Sequence, residues 1–456
     1  MERYSEYQDT GIAWMPQIPS HWKCLQFRGL FRITKRIAGR KGLDVLAVTQ
    51  RGIKVKDVES NEGQIAADYS NYQIVEPGDF AMNHMDLITG FIGISPQYGV
   101  TSPDYRVFKN ISPLANSRYY LYLFELCYKQ RIFYGLGHGV SNKGRWRLPA
   151  PIQNRFSIPL PPLAEQEKIV SYLDSKTSKI DAYVADKEKE IQMLQELKQK
   201  TIAEAVTKGL NPNVKMKDSG ISWIGMIPEH WVKRRIKTLF YVINGNGFKI
   251  EHQGLENGDY PFLKVSDLNG TNKFVSTAKN YVTKTISKEE SYNIIPTGSV
   301  LFSKIGEALK RNHRKINTKE CCIDNNCSAF VIKEGCMDID IVFFYYVMKC
   351  VDMAWFDNGG TIPCVNMKNL TSSSIPFPPL TEQQAIVSYI EEKSQKIDTL
   401  ITELQAEIDY LKEYKQRLIA DVVTGQVNVA QSESKGNLFT LPSQSNVNEV
   451  NVQNEM

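Results

Sequence analysis

Apolar residues recur at alternating spacings of four and three near the C-terminus: Ile397, Ile401, Leu404, Ile408, Leu411, Leu418 and Val422, with Lys415 in the same seam. That rhythm predicts a long helix with a narrow apolar stripe, the pattern of a two-stranded coiled coil. A weaker version runs through Ile180, Val184, Ile191, Leu194 and Ala205, interrupted by Lys187, Lys198 and Thr201. The two stretches align without a gap: Pro162 matches Pro379, an offset of 379 − 162 = 217, and the same offset pairs Glu165 with Glu382, Gln166 with Gln383, Asp181 with Asp398 and Lys198 with Lys415. A match kept in register over about fifty residues marks an internal duplication, so the two helices are expected to pair with each other. Each opens on a double proline, tolerated only at a helix start. Glu165 or Glu382 then falls in the first turn, where the helix dipole favours a carboxylate. Thr381 and Gln384 are spaced for a capping box in the second copy, and Ala164 forbids one in the first.

Ahead of each helix the pattern changes to short alternating runs. Leu43–Thr49, Tyr72–Val75 and Arg106–Phe108 read as strands in the first segment, separated by turns such as Pro77-Gly78-Asp79. Asn116 to Phe133 reads as a helix with a broad apolar face. In the second segment Tyr260–Val265 and Ser299–Ser303 read as strands and Ile339–Ala354 as a helix. A second repeat precedes each segment: Asp9, Trp14, Pro19 and His21-Trp22 match Asp218, Trp223, Pro228 and His230-Trp231. His21 and His230, each beside a tryptophan at a domain edge, read as packed or capping residues rather than chemical ones.

Composition narrows the class. With 42% hydrophobic and 23% charged residues in 456, the chain reads as an ordinary globular protein of several domains. No run approaches the apolar length of a membrane span, and the N-terminal residues have no signal-peptide core. The 8 cysteines include no C-x-x-C pair, so reduced thiols are expected and a zinc site is not. The net charge of +5 is unevenly spread: residues 28–150 hold 17 Lys/Arg against 10 Asp/Glu, and residues 232–370 hold 19 against 14. The basic excess thus lies in the two variable segments, where a polyanion would dock. In the first, Gly135 to Arg147 mixes glycines with His138, Lys143, Arg145 and Trp146; glycines permit close backbone approach, and the cations suit phosphates and base edges. In the second, Asn358 to Lys368 occupies the corresponding place, and Lys310 to Lys315 is a basic run between strands.

Two variable segments alternating with near-identical helices, each helix preceded by Ile-Pro and opened by Pro161-Pro162-Leu163-Ala164-Glu165-Gln166 or Pro378-Pro379-Leu380-Thr381-Glu382-Gln383, resemble the specificity subunit of a Type I restriction–modification system. Gly78-Asp79, Asn83-His84-Met85 and Ser102-Pro103-Asp104-Tyr105 resemble one target-recognition subtype; Lys264-Val-Ser-Asp267 and Asp324-Asn-Asn326 resemble another. Ala308-Leu309-Lys310 departs from the Gly-Lys pair of many relatives. The resemblance implies an α+β chain: two mixed α/β target-recognition domains separated by two long helices in an antiparallel coiled coil, as a pseudo-two-fold internal repeat. Its expected parts are residues 1–157 (opening motif and first recognition domain), 158–209 (first helix), 210–374 (opening motif repeat and second recognition domain), 375–425 (second helix) and 426–456 (disordered polar tail, or one loosely docked on the N-terminal motif).

The resemblance also implies double-stranded DNA, two copies of an adenine-methylating modification subunit and a restriction subunit as partners, with no cofactor, metal or membrane. Gln50, Arg51, Asn83, His84, His138, Lys143 and Arg145 are the candidates for one half of a bipartite DNA site. Lys264, Lys310, Arg311, Arg314, Asn326, Thr361 and Lys368 are the candidates for the other. Pro162, Glu165, Gln166, Pro379, Glu382 and Gln383 are the helix-spacer and partner-binding candidates. Enzymatic readings lack their residues: the chain has no Asn/Asp-Pro-Pro-Tyr/Phe segment, P-loop, H-E-x-x-H or Gly-x-Ser-x-Gly. A coiled-coil adaptor without DNA recognition is the alternative, and it would lack salt-sensitive duplex binding.

Overall fold

The structure is a computed structural model, described here for residues 2–50, 52–57, 68–139, 146–221 and 223–429. The chain forms two compact units, Met1–Lys187 with Ala406–Met456, and Glu188–Gln405. Among the described residues no helix is long and apolar enough to cross a membrane. All 8 cysteines are free thiols.

In the first unit, Phe31–Thr34, Arg106–Asn110, Phe80–Met82 and Ile92–Ile94 form an antiparallel sheet in that order. Its apolar face meets the helix Ser117–Lys129, and Phe31, Phe80, Phe108 and Phe124 interlock there, the Phe80 and Phe108 rings stacked at 4.8 Å. Burying each such ring stabilises the fold by about 1.5–3 kcal/mol. Asn116 caps the helix, its side chain accepting from the backbone N–H of Arg118 and Tyr119. The helix stops at Lys129, short of the expected Phe133, because Arg131 adopts φ 58° and starts a separate short helix, Ile132–Leu136.

The second unit builds a larger sheet: Phe240–Asn244, Cys327–Ile332, Val300–Ser303, Arg314–Asn317 and Phe274–Val275, antiparallel except for the last pair. Phe302, Phe330, Phe240 and Phe344 pack on its inner side. The expected helix Ile339–Ala354 is broken. Ile341–Cys350 is helical, and Asp352 then caps a separate short turn, Met353–Phe356, by accepting from Ala354 N–H.

The strand after each opening motif pairs with the strand that leads into the long helix: Lys23–Gln26 with Ser157–Leu160, and Val232–Arg235 with Ser374–Phe377. The long helices span Leu163–Lys208 and Leu380–Val423. The second begins at Leu380, so Thr381 lies inside its first turn and the expected capping box does not form. Within the first unit the helices run antiparallel: Asp181 pairs with Lys415 at 2.7 Å, while Tyr183 and Lys187 both reach back to Glu407. In the second unit Lys198 pairs with Asp398 at 2.7 Å. The seam lysines that interrupt the apolar rhythm therefore meet carboxylates on the facing helix.

Candidate nucleic-acid interface

The glycine-rich stretch of the first unit forms a hairpin stem. His138 and Arg147 exchange backbone hydrogen bonds of 3.0 and 3.1 Å, and the Trp146 ring stacks on Tyr134 with its Nε1 donating to the Tyr134 carbonyl at 2.8 Å. Gly137 is required by close approach, since a Cβ there would lie 2.7 Å from Leu87 and 2.8 Å from Trp146. Lys143, Arg145 and Arg51, candidates for the first half-site, lie outside the described residues.

His84 sits beneath this stem, its carbonyl accepting from Leu148 N–H at 2.9 Å. Burial, and then the charges of Arg106 and Arg147, push its imidazole down to about 4, so it is neutral at pH 7. Its buried Nδ1 has no hydrogen-bond partner among the described residues. Arg106 donates to the Leu148 carbonyl and to Gln153 Oε1, and burial lowers its guanidinium to about 10. Asn83 is turned partly inward, its carbonyl accepting from Tyr128 OH and its side chain from Met85 N–H. Asn83, His84 and His138 are thus gathered at one stem. Gln50 is exposed on a different hairpin, at the turn between Leu46–Thr49 and Gly52–Val55.

The second unit has a hairpin in the same place along its chain, after its helix. Asp357 and Val365 bridge, Asn358 N–H donates to the Cys364 carbonyl, and Asp357 Oδ1 accepts from Cys364 N–H. Thr361 is exposed at its tip. Val365 N–H donates to the Lys304 carbonyl at 3.0 Å, and Lys304 N–H to the Asn326 carbonyl at 2.8 Å. Lys368 follows on the short helix Met367–Ser372 and lines a groove with Lys237, Lys333 and the ring of Tyr241. Asn326 and Lys368 therefore lie by the base of the hairpin whose tip carries Thr361.

Three residues join them unpredicted: Lys304, Asn244 and Ser328. Lys304 donates to Asn244 Oδ1 at 2.8 Å, Ser328 OH donates to the same oxygen, and desolvation lowers the Lys304 ammonium from its ordinary range. Lys304 directly follows an apolar strand run, and that position was the one available signal.

The other second-half candidates lie elsewhere. Lys264 donates to Gln253 and covers the Phe248 ring. Lys310 pairs with Glu307 at 2.9 Å, and Arg311 is exposed. Arg314 corrects its assignment: it opens the strand Arg314–Asn317, only 3% exposed, and donates to the carbonyls of His313 and Val351 and to Asn312. Its charge faces the interior and is not offered to a duplex.

The helix openings are also corrected in part. Gln166 and Gln383 are fully buried and bind their own chain. Gln166 accepts from Asn116 N–H and donates to the carbonyls of Leu114 and Pro161; Gln383 accepts from Asp340 N–H and donates to those of Asp338 and Pro378. Both side chains are fully engaged by these bonds within their own chain. Glu165 receives His21 at 2.9 Å, Trp22 Nε1 at 3.1 Å and Tyr4 OH, and Glu382 receives His230 at 2.9 Å. Pro162 and Pro379 are exposed. Glu251, His252 and Glu290 offer ligand atoms within 4.8 Å of one another, but Lys249 and His252 already hold Glu290 by hydrogen bonds and keep its carboxyl below the usual range. That self-neutralised cluster is an ion-pair network.

Comparison with known proteins gives one consistent result. The Type I restriction modification DNA specificity domain matches residues 54–193 and 228–410. The chain is 24% identical over 284 residues to the Type I restriction enzyme MjaVIII specificity subunit of Methanocaldococcus jannaschii, covering 61% of this chain and 64% of that one. It is 22% identical over 291 residues to the EcoKI specificity subunit of Escherichia coli, covering 60% and 58%. The match thus spans about three-fifths of the length of these relatives. A solved structure described as the basis of complex assembly and conformational transition of the type I R-M system shares the fold, with TM-score 0.67 and 15% identity over 90% of this chain and 99% of that chain.

Proposed function

Because this chain belongs to the Type I restriction modification DNA specificity family, we propose that it reads a bipartite DNA target and directs partner subunits to it. Each unit takes one half of the target. The hairpin that follows the packed helix of each unit, Ser117–Lys129 or Ile341–Cys350, with the polar groups at its base, faces the duplex, where major-groove base edges distinguish all four pairs. In the first unit the readers are His138 and the neutral His84, with Asn83 and Gln50 near the half-site. In the second they are Asn326, Thr361, Lys304 and Lys368, with Lys264 at the margin.

The chain supplies recognition and no chemistry. Two copies of an adenine-methylating subunit dock along the long helices, where Met193, Leu197, Leu400 and Tyr410 present apolar surface to solvent, and a restriction subunit completes the cutting complex. The two helices space the recognition units as a pseudo-two-fold pair. The observation that carries this reading is the recurrence, at the same place in both units, of a hairpin set on polar and cationic groups.

Exchange of residues 24–157 for the corresponding segment of another family member tests it. Mapping methylated adenines across a genome, with the modification partner present, is expected to show one altered half of the motif and one unchanged. Alteration of both halves would overturn the two-module reading, and a complex whose duplex binding ignored salt would favour the adaptor.

A further inference from the structure

The second unit carries a further group of cations around Asn312. Asn312 adopts φ 52°, a left-handed conformation that turns the chain sharply and sets Arg311 and His313 on either side of it. This turn is tied to the helix Ile341–Cys350: Asn312 Nδ2 donates to the Lys349 carbonyl at 3.2 Å, and Lys349 Nζ donates back to the Asn312 carbonyl at 3.5 Å. Arg314, beneath, bonds Asn312 Oδ1 and anchors the turn. Lys315, next along the strand, donates to the carbonyls of Gly270 and Asn272.

The charges of Arg311, Arg314, Lys315 and Lys349 all act on His313, with desolvation, to lower its imidazole below the ordinary value. Lys349 is lowered first by desolvation and then by Arg314, Lys315 and, from the first long helix, Lys198. Among the described residues no ion pair engages Arg311, Lys315 or Lys349. Asp352 and the Tyr345 hydroxyl act on buried Arg314, and Asp398 pairs with Lys198; neither carboxylate forms an ion pair with the two side chains at the surface. Like charges drawn together without a counter-charge cost stability, and a bound anion removes that cost.

We propose that Arg311, His313 and Lys349 form a phosphate site that grips the DNA backbone outside the bases read by the second unit. The proposal rests on the DNA-reading function above and separates two tasks within one unit. The hairpin, Asn326, Lys304 and Lys368 specify sequence, while the Asn312 turn contributes sequence-independent affinity. The His313 ring carries an N–H able to donate a hydrogen bond whether or not it is protonated.

The test uses the full chain with its modification partner and synthetic duplexes carrying the mapped target. Arg311→Gln alters an exposed side chain with no ion pair to lose among the described residues, and Arg311→Gln/Lys349→Gln also removes the Lys349–Asn312 hydrogen bond, so its unfolding midpoint is measured beside its affinity. Each lost phosphate contact is expected to make the slope of log affinity against log salt shallower by about one, equally for target and non-target duplexes. Arg311→Lys is expected to restore most of the slope, and the methylated motif is expected to stay unchanged. A changed motif would mean that these residues read bases and would overturn the proposal, as would an unchanged slope. Free inorganic phosphate that competed with wild type and variant alike would also count against the site. Salt-insensitive binding by the unsubstituted complex would overturn the DNA reading itself.

Discussion

Replacing Gln166 by alanine tests whether the Glu-Gln pair at each helix opening is a partner contact or an internal clamp. Gln166 is fully buried and makes hydrogen bonds of 2.8, 2.9 and 2.8 Å to Asn116 N–H and to the carbonyls of Leu114 and Pro161. A neutral hydrogen bond contributes about 0.5–1.5 kcal/mol net, and a buried group left without its partner costs about 1–3 kcal/mol. Leu114 is exposed, so its carbonyl can rehydrate, whereas Pro161 is buried. Alanine is therefore expected to cost about 2–4 kcal/mol. For a unit of this size that lowers the unfolding midpoint by about 5–15 °C. Gln383→Ala removes the same set of bonds and is expected to cost a similar amount. Gln166→Glu should cost no less, because a carboxylate cannot donate to the two carbonyls. The assay is urea and thermal unfolding of the isolated chain, beside binding of the modification partner at a temperature where every variant is folded. A stability within about 0.5 kcal/mol of the parent, as for a surface change, together with lost partner binding would refute the clamp and return Gln166 to the interface.

Three further outcomes are expected. His84 is held near 4 in the fold against 6.5 unperturbed, so the stability tied to its neutral form is complete above pH 6.5 and is lost as pH falls towards 4; urea midpoints for His84→Gln should fall less over that window than those of the parent. Asn428 N–H meets the Glu2 carbonyl at 2.9 Å and Tyr7 OH the Gly425 carbonyl at 3.0 Å, so a chain joined by a short linker after Val429 and reopened at Pro212 should keep its methylation motif, and failure to fold would refute this closure. Deleting Glu188–Leu194 and Gln405–Leu411 together keeps the seam in phase and removes about 10 Å of helix, which should shorten the spacer of the methylated motif by about three base pairs; an active variant with the original spacer would refute the ruler.

The long helices were legible because their signal is periodic and stated twice. Ile408, Leu411, Leu418 and Val422 are buried as the spacing requires. The signal faded where one residue decided the backbone. Arg131 at positive φ and the cap on Asp352 each broke a helix that apolar periodicity would have continued. Charge was read least well. Arg314 and Arg311 stand three apart in one basic run, yet one is buried and the other exposed, since Arg311 lies on the turn at Asn312 whereas Arg314 opens a strand whose four residues are all buried. Lys304 went unnoticed because its role comes from Asn244 and Asn326, which the sheet brings to it from distant sequence. Gln166 and Gln383 stood out as a repeated motif, but a motif does not say whether its side chains face a partner or their own fold.

The seam shows how duplication becomes geometry. Lys198 binds Asp398, and Asp181 binds Lys415. The two lysines are related by 415 − 198 = 217 and the two aspartates by 398 − 181 = 217, the offset of the repeat itself. One mutual contact, written once in an ancestral half, therefore appears twice, as it does across a self-complementary interface. Solvent-exposed pairs of this kind contribute only about 0–1 kcal/mol each, and a lysine in an otherwise apolar seam weakens the helix pairing. Their effect is on register. A slip by one helical turn would bury two lysines against apolar neighbours and strand two carboxylates, so the neighbouring registers are disfavoured by more than the pairs themselves contribute. The exposed pairs therefore select the register of the helices and add little strength to the seam.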